Sequence, residues 1–142
     1  MSRALEQPYR ELLEDLPGQP RLNVDETGHK RNGQPHWTWC FRAGLDTLFQ
    51  IDPTRGADVL IEVLGAEFDG VLGCDYFSAH RRYHRECGVV LQFRLAHLIR
   101  DVMFLTTLPD ARDRAYGEGL REALRGLFAV IHRREEWTER EF

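Results

Sequence analysis

The spacing of hydrophobic residues predicts one helix and then three strands in the first third of the chain. Residues 3–16 carry apolar side chains at the spacing of one helical face, and Pro17-Gly18-Gln19-Pro20 ends that pattern. Strand-like segments follow at 21–25, 36–43 and 47–51. Short turn sequences separate them, Asn32-Gly33 and Gly44-Leu45-Asp46, so an antiparallel meander is expected.

After residue 52 the pattern alternates between helix and strand. Helices are predicted at 55–64, 77–85, 95–108 and 112–137, and strands at 69–75 and 89–93. The apolar run before Asp75 is continuous rather than alternating, which indicates burial on both faces. Three antiparallel strands extended by parallel strands through right-handed helical crossovers give an α/β fold, a ribonuclease H-like mixed five-stranded sheet with flanking helices.

Composition narrows the functional classes. The 142 residues are 42% apolar and 30% charged, the balance of a globular protein with a single core. A net charge of -4 means that any contact with nucleic acid needs a local basic patch or metal ions. Cys40, Cys74 and Cys87 form no CxxC pair, and the chain has neither a long apolar run nor a signal peptide. We therefore expect a cytoplasmic protein with reduced thiols and no membrane partner.

Two aspartates are the strongest candidates for chemistry. Asp25 and Asp75 each follow an apolar strand, and the predicted topology makes these strands adjacent and parallel. Carboxylates that converge on one sheet edge repel each other unless a cation lies between them, and Mg²⁺ or Mn²⁺ suits oxygen ligands. Two such ions support phosphodiester chemistry. The alternative is that both aspartates are solvated strand-end or turn residues.

The local sequence resembles the DDE transposases of the insertion-sequence-66 family, from about Leu22 to Leu105. The segments that carry the resemblance are Asp25-Glu26-Thr27-Gly28, Asn32-Gly33, His36-Trp37-Thr38-Trp39, Arg55-Gly56, Leu64-Gly65, Phe68-Asp69-Gly70-Val71-Leu72, Asp75 with Ser78-Ala79, and Leu95-Ala96-His97-Leu98-Ile99-Arg100-Asp101. The resemblance implies that Asp25 and Asp75 are catalytic metal ligands for Mg²⁺ or Mn²⁺. It also implies DNA partners, transposon ends and target, for metal-dependent strand cleavage and transfer.

The chain departs from the family pattern in three places. Tyr76, Phe77 and His80 replace the glycine and aromatic residues expected after the second aspartate, and Arg94 stands where the family has cysteine. The third acid of the family lies in an Asn-Asn-x-x-Glu-Arg segment, which this sequence does not contain. We therefore expect an N-terminal helix and linker at 1–20 and a truncated catalytic-domain portion at 21–142, inactive by itself and prone to self-association through uncovered apolar helix faces.

Two other functions stay open. One is a catalytically dead module that binds DNA or transposase, and the other is a small nuclease that recruits a local acid. The acids available for recruitment are Glu118, Glu122, Glu135 and Glu136. Glu26 should point to the face opposite Asp25 and act as a structural or supporting group.

Basic residues near Asp75 are candidates for DNA-phosphate contacts, which supply affinity without sequence readout. They are Arg81, Arg82, Arg85, Arg94 and Arg100. The same segment offers a zinc site as an alternative, because His80, His84 and Cys87 fall on one predicted helical face, with His97 as a distant fourth ligand. Trp37, Trp39 and Phe41 share one strand face and are expected in the core.

Overall fold

A computed structural model describes the backbone of residues 3–136 and, within that range, all side chains except those of Arg3 and Glu135. The chain divides into two compact units, Met1–Arg94 and Leu95–Phe142. The first unit contains the whole sheet, and the second is a pair of helices.

The sheet of the first unit has five strands in the order β3-β2-β1-β4-β5. The strands are β1 (Arg21–Arg31), β2 (Gln34–Arg42), β3 (Thr47–Asp52), β4 (Val71–Cys74) and β5 (Val90–Phe93). β1, β2 and β3 form an antiparallel meander, whereas β4 pairs parallel to β1 and to β5. The predicted ribonuclease H-like α/β sheet is confirmed.

The turn between β1 and β2 explains the length of this hairpin. Asn32 and Gly33 both have positive φ angles, 50° and 79°, as the tight two-residue turn requires. Pairing continues to Arg31 opposite Gln34, so β1 extends six residues beyond the predicted strand end at Asp25. The sequence pattern missed this extension because residues 26–31 are mostly polar and exposed.

Helices and a 3-10 turn cover the sheet of the first unit. They are α1 (Arg3–Asp15), a 3-10 turn at Leu16–Gly18, α2 (Ala57–Leu64) and α3 (Ser78–Cys87). The core contains fully buried Leu22 and Val24 of β1, Trp39 and Phe41 of β2, and Leu60 of α2. The core placement predicted for the β2 aromatics holds for Trp39 and Phe41, while Trp37 is half-buried at the margin.

The second unit consists of α4 (Leu95–Leu105) and α5 (Ala111–His132), followed by a 3-10 turn at Arg134–Glu136. Asp110 caps α5 through its side chain, which accepts the N–H of Arg112. On α4, Val102 is buried and Ile99 and Leu105 are half-buried, whereas Leu98 and Met103 are exposed. The predicted end of the last helix near Trp137 lies outside the described residues. None of the described helices has the length and apolar character to cross a membrane.

Candidate active site

The parallel pairing of β1 and β4 brings Asp25 and Asp75 to the same region of the sheet. Asn23 of β1 is paired with Gly73 of β4, and each aspartate follows its paired residue by two positions. Asp75 comes directly after the end of β4, as predicted, but Asp25 lies within β1 and pairs with Cys40 of β2. The expectation that Asp25 ends its strand is therefore wrong: β1 continues alongside β2 where β4 stops.

Asp25 is an exposed acid that already has a cationic partner. Its side chain is 59% exposed, and its Oδ2 accepts a hydrogen bond from the Arg94 guanidinium at 2.8 Å. Oδ1 accepts the backbone N–H of Glu26 at 3.1 Å. Arg94 also donates to the carbonyl of Val24, so it bridges the segment after β5 to the middle of β1.

Glu26 lies on the opposite face of β1, as the alternation of strand side chains predicts, and is buried. Its Oε1 accepts two hydrogen bonds from Arg55, at 2.8 and 2.6 Å. The Arg55 guanidinium lies 3.6 Å from the ring centre of Phe77 and 4.7 Å from that of Trp37. An acid is thus held inside the first unit by one arginine fixed between two aromatic rings.

His80 connects this buried acid to Asp75. The first turn of α3 carries His80 inward, where it is completely buried. Its Nδ1 lies 3.0 Å from Oδ1 of Asp75, and its Nε2 lies 3.8 Å from Oε2 of Glu26. The Asp75 carboxylate is oriented by a second contact, because the same Oδ1 accepts the backbone N–H of Phe77 at 3.0 Å.

The polar atoms at the centre of this group lack hydrogen bonds. The contact between His80 and Asp75 has the distance of a hydrogen bond but not its direction, so both ring nitrogens and Oε2 of Glu26 are buried without a hydrogen-bond partner. Unsatisfied buried polar atoms cost about 1–3 kcal/mol each. Packing alone therefore does not explain why these three atoms are buried without hydrogen-bond partners.

Burial shifts the pKa values of Glu26 and His80. It raises the pKa of Glu26, against which the hydrogen bonds and charge of Arg55 act, while Asp75 and Asp25 raise it further. Burial also lowers the pKa of His80, partly offset by Asp75. Both aspartates therefore favour the neutral form of Glu26, whereas Arg55 favours its charged form.

Oxygen and nitrogen ligands for a metal come together here. Among the described residues, the group of three side chains within metal-ligand reach is Glu26, Asp75 and His80, whose candidate ligand atoms lie within 4.8 Å of one another. The alternative zinc row is wrong: His84 instead contacts the carbonyl of Val89 through Nδ1, at 2.7 Å. One helical face does not bring its ligands to a common centre.

The five arginines predicted to contact DNA phosphates lie in different surroundings. Arg81 lies over the ring of Tyr76, and Arg85 shares an open cavity with Tyr76 and Phe93. Arg82 is instead held by Asp58 and Glu86, and Arg94 by Asp25. Arg100 belongs to the second unit, where it contacts Nδ1 of His97.

The acids considered for recruitment belong to the second unit. Glu118 and Glu122 lie on α5, where Glu122 contacts Arg125 at 3.4 Å. Glu136 is exposed in the last 3-10 turn, and the side chain of Glu135 lies outside the described residues. Glu118, Glu122 and Glu136 are thus exposed acids of a charged surface.

Sequence reasoning missed the roles of Arg55 and His80. In the sequence, Arg55 belongs to the Arg55-Gly56 segment of the resemblance, and His80 is a departure from the family pattern or a predicted zinc ligand. The Arg55–Glu26 contact spans 29 positions, and no local pattern predicts such a pairing. A histidine in an inward-facing first turn, five residues after an acid, was the available signal for His80.

The chain is similar to a known family and, in structure, to a solved viral assembly. A family model described as "Transposase IS66 family" matches residues 1–141. A cryo-EM structure of a simian T-cell lymphotropic virus intasome in complex with PP2A regulatory subunit B56 gamma is similar at 8% identity and a TM-score of 0.41. That match covers 68% of this chain and 46% of the other. No curated protein matches the chain.

Proposed function

We propose that this chain, which belongs to the IS66 family of transposases, is a portion of the catalytic domain. In this portion Asp25 and Asp75 hold divalent metal ions for DNA phosphoryl transfer. The observation that carries the proposal is the position of the two aspartates. Each stands two residues beyond the paired Asn23 and Gly73 of two adjacent parallel strands. Both are also accessible, with side chains 59% and 25% exposed.

The residues present fit a divalent cation. Asp25 and Glu26 lie on β1, where Arg94 neutralises Asp25 and Arg55 neutralises Glu26, and Asp75 directly follows β4. Asp75 has no arginine partner among the described residues, and its Oδ2 is free of the contacts that fix Oδ1. Mg²⁺ or Mn²⁺ bound by Asp25 and Asp75 would supply an activated water and charge neutralisation at the scissile phosphate.

The surrounding residues would position these acids for the reaction. The Phe77 N–H holds Oδ1 of Asp75, which would leave Oδ2 available to a cation. Arg55 keeps the charge of Glu26 inside the fold and away from the phosphate. Arg94 balances Asp25, which limits repulsion between the acids before a cation and DNA arrive.

We further propose that the 142 residues by themselves neither cleave nor join DNA. Two metal ions need more anionic ligands than Asp25 and Asp75, and the family's third acid lies in a segment that this sequence does not contain. The alternative, a small nuclease, requires a local glutamate to replace that acid.

A cleavage assay tests this proposal. Wild-type protein and Asp25→Ala would be incubated with DNA carrying transposon ends, in Mg²⁺ and in Mn²⁺, beside Glu118→Ala, Glu122→Ala, Glu135→Ala and Glu136→Ala. We expect no product in any lane. Cutting that disappears with Asp25→Ala and with one glutamate variant would overturn inactivity and identify the third acid.

A second candidate function, a DNA-binding module without catalysis, rests on the surface beside Asp75. Exposed Tyr76 and Phe93 pack edge to face with ring centres 4.8 Å apart, and Arg81 and Arg85 line the same cavity. Aromatic faces with neighbouring arginines suit bases and phosphates of DNA. Fluorescence anisotropy should show that Arg85→Gln weakens DNA binding, while the control Arg82→Gln, whose side chain is held by acids, does not. Equal effects would contradict a localised site.

We also propose self-association through the second unit. Phe104, Leu98 and Leu127 are exposed apolar side chains on α4 and α5, and such patches promote association. Sedimentation velocity over a range of concentrations should show a growing dimer or larger species. A monomer at every concentration would contradict it.

A further inference from the structure

We propose that Glu26, Asp75 and His80 form a site for one divalent transition-metal ion with a nitrogen ligand, such as Mn²⁺ or Zn²⁺, on the buried side of the sheet. This inference goes beyond the proposed function, since neither Glu26 nor His80 belongs to the pair of acids assigned there. This site and the proposed pair of acids have only Asp75 in common.

The ligand atoms are Oε2 of Glu26 and Nε2 of His80, which face each other at 3.8 Å. Both atoms are buried and neither has a hydrogen-bond partner. Two ligands that each lie about 2.1 Å from one ion are separated by up to about 4.2 Å, so this spacing suits a shared cation. Asp75 completes the group through a carboxylate oxygen.

The frame around these atoms is already rigid. Arg55 binds Oε1 of Glu26 with two hydrogen bonds, which leaves Oε2 directed at His80. The His80 ring stands edge-on to Trp39 and Phe77, with ring centres 6.3 and 6.2 Å away. Partners that fix metal ligands in this way contribute strongly to metal affinity. The site would therefore need little rearrangement on binding.

The charges favour a cation with affinity for nitrogen. When Glu26 and Asp75 are ionised, the two acids outweigh the single positive charge of Arg55. The His80 ring is completely buried and its Nε2 has no hydrogen-bond partner, so this nitrogen can offer a lone pair to an ion. An imidazole beside two carboxylates suits Zn²⁺ or Mn²⁺, whereas Mg²⁺ prefers oxygen ligands and water.

Entry from solvent is provided by Asp75, which is 25% exposed whereas His80 is fully buried. An ion would pass this carboxylate before reaching the two inner atoms. Asp75 is thus an accessible acid that this site shares with the proposed function, whereas Glu26 and His80 are protected from solvent.

Metal titration with matched variants tests the site. The full chain would be titrated calorimetrically with Mn²⁺, Zn²⁺ and Mg²⁺ in separate experiments, in the wild type, His80→Gln and Glu26→Gln. His84→Gln, one helical turn beyond His80, is the control, and Asp25→Asn separates this site from the pair of acids assigned under the proposed function. We expect Mn²⁺ and Zn²⁺ affinity to fall about tenfold or more in the two site variants and to stay within about twofold in the control. Mg²⁺ should bind the wild type more weakly than either ion.

A spectroscopic measurement on the wild type keeps the test valid if a variant fails to fold. Pulsed electron paramagnetic resonance with one equivalent of Mn²⁺ should show coupling to a directly bound ¹⁴N nucleus. Absence of that coupling, or unchanged affinity in folded His80→Gln, overturns the site. Affinity lost in Asp25→Asn but kept in His80→Gln also overturns it and leaves the proposed function standing. The reverse pattern supports the site even if the role proposed for Asp25 is wrong.

Discussion

The guanidinium of Arg94 and the carboxylate of Asp25 lie 2.8 Å apart, so the first acid of the resemblance already has a cation beside it. The other oxygen of Asp25 accepts the backbone N–H of Glu26. A metal ion at Asp25 must therefore share or displace the Arg94 contact.

Replacing Arg94 should strengthen metal binding at Asp25. Arg94→Gln removes the competing charge, and the pair is partly exposed, so we expect Mn²⁺ affinity to rise about fivefold, equivalent to about 1 kcal/mol. Calorimetric titration measures the change. Adding Asp25→Asn to Arg94→Gln should abolish the gain, and Arg81→Gln should show none. Unchanged affinity in Arg94→Gln would mean that the ion does not use Asp25.

Removing Arg55 should destabilise the fold. Arg55→Met keeps much of the contact with Phe77 but leaves Glu26 buried without its two hydrogen bonds. We expect the free energy of unfolding to fall by about 2–3 kcal/mol in urea titrations. Combining it with Glu26→Gln should cost less than the sum of the single changes, because the uncompensated charge is gone. Additive losses would show that the pair does not interact in solution.

The Tyr83 hydroxyl should contribute measurably to stability. Tyr83 is fully buried in α3 and donates to the carbonyl of Gly65, the residue that ends α2. Tyr83→Phe leaves this carbonyl without its partner, so we expect a loss of about 1–2 kcal/mol. The exposed Tyr116→Phe is the matched control and should be neutral. Equal thermal unfolding of both variants would contradict the contact.

Cys74 should resist thiol reagents in the folded protein. Burial, with a smaller contribution from Asp75, raises its pKa to about 12. At pH 8 only about one such thiol in ten thousand is a thiolate, the reactive form. Mass spectrometry after brief iodoacetamide treatment should find Cys40 and Cys87 modified first, and Cys74 only after denaturation. Early modification of Cys74 would reveal that the β4 end opens readily.

Gly117 should be required where α4 and α5 meet. A Cβ atom at this position would lie 2.8 Å from Cβ of Leu105 and 3.0 Å from the backbone N of Thr106. Gly117→Ala should therefore lower the stability of the second unit by about 1–3 kcal/mol, despite the better helix propensity of alanine. Gly119→Ala has open space around it and should be neutral or stabilising. Hydrogen exchange of α5 amides would separate the two outcomes.

Local sequence patterns are sufficient to predict the order of elements and the type of sheet. Leu22 and Val24 alternate with polar residues, Asn32-Gly33 is a two-residue hairpin turn, and the run before Asp75 is continuously apolar. These signals are local, because side-chain periodicity and turn conformation depend on neighbours in the chain. Together with right-handed crossovers they predict that β1 and β4 are adjacent and parallel, and that Glu26 and Asp25 face opposite ways.

The surroundings of the acids depend on contacts between residues that are far apart in the chain. Contacts between Glu26 and Arg55 or His80 join residues 29 and 54 positions apart, and that between Asp25 and Arg94 joins residues 69 apart. The buried Glu26 also departs from the rule that charged residues face solvent. The free-energy cost of its burial is offset by Arg55, a partner that no periodicity in the sequence identifies. Burial, pairing and unsatisfied ligand atoms are properties of packed surfaces, so they are defined only once helices and strands meet.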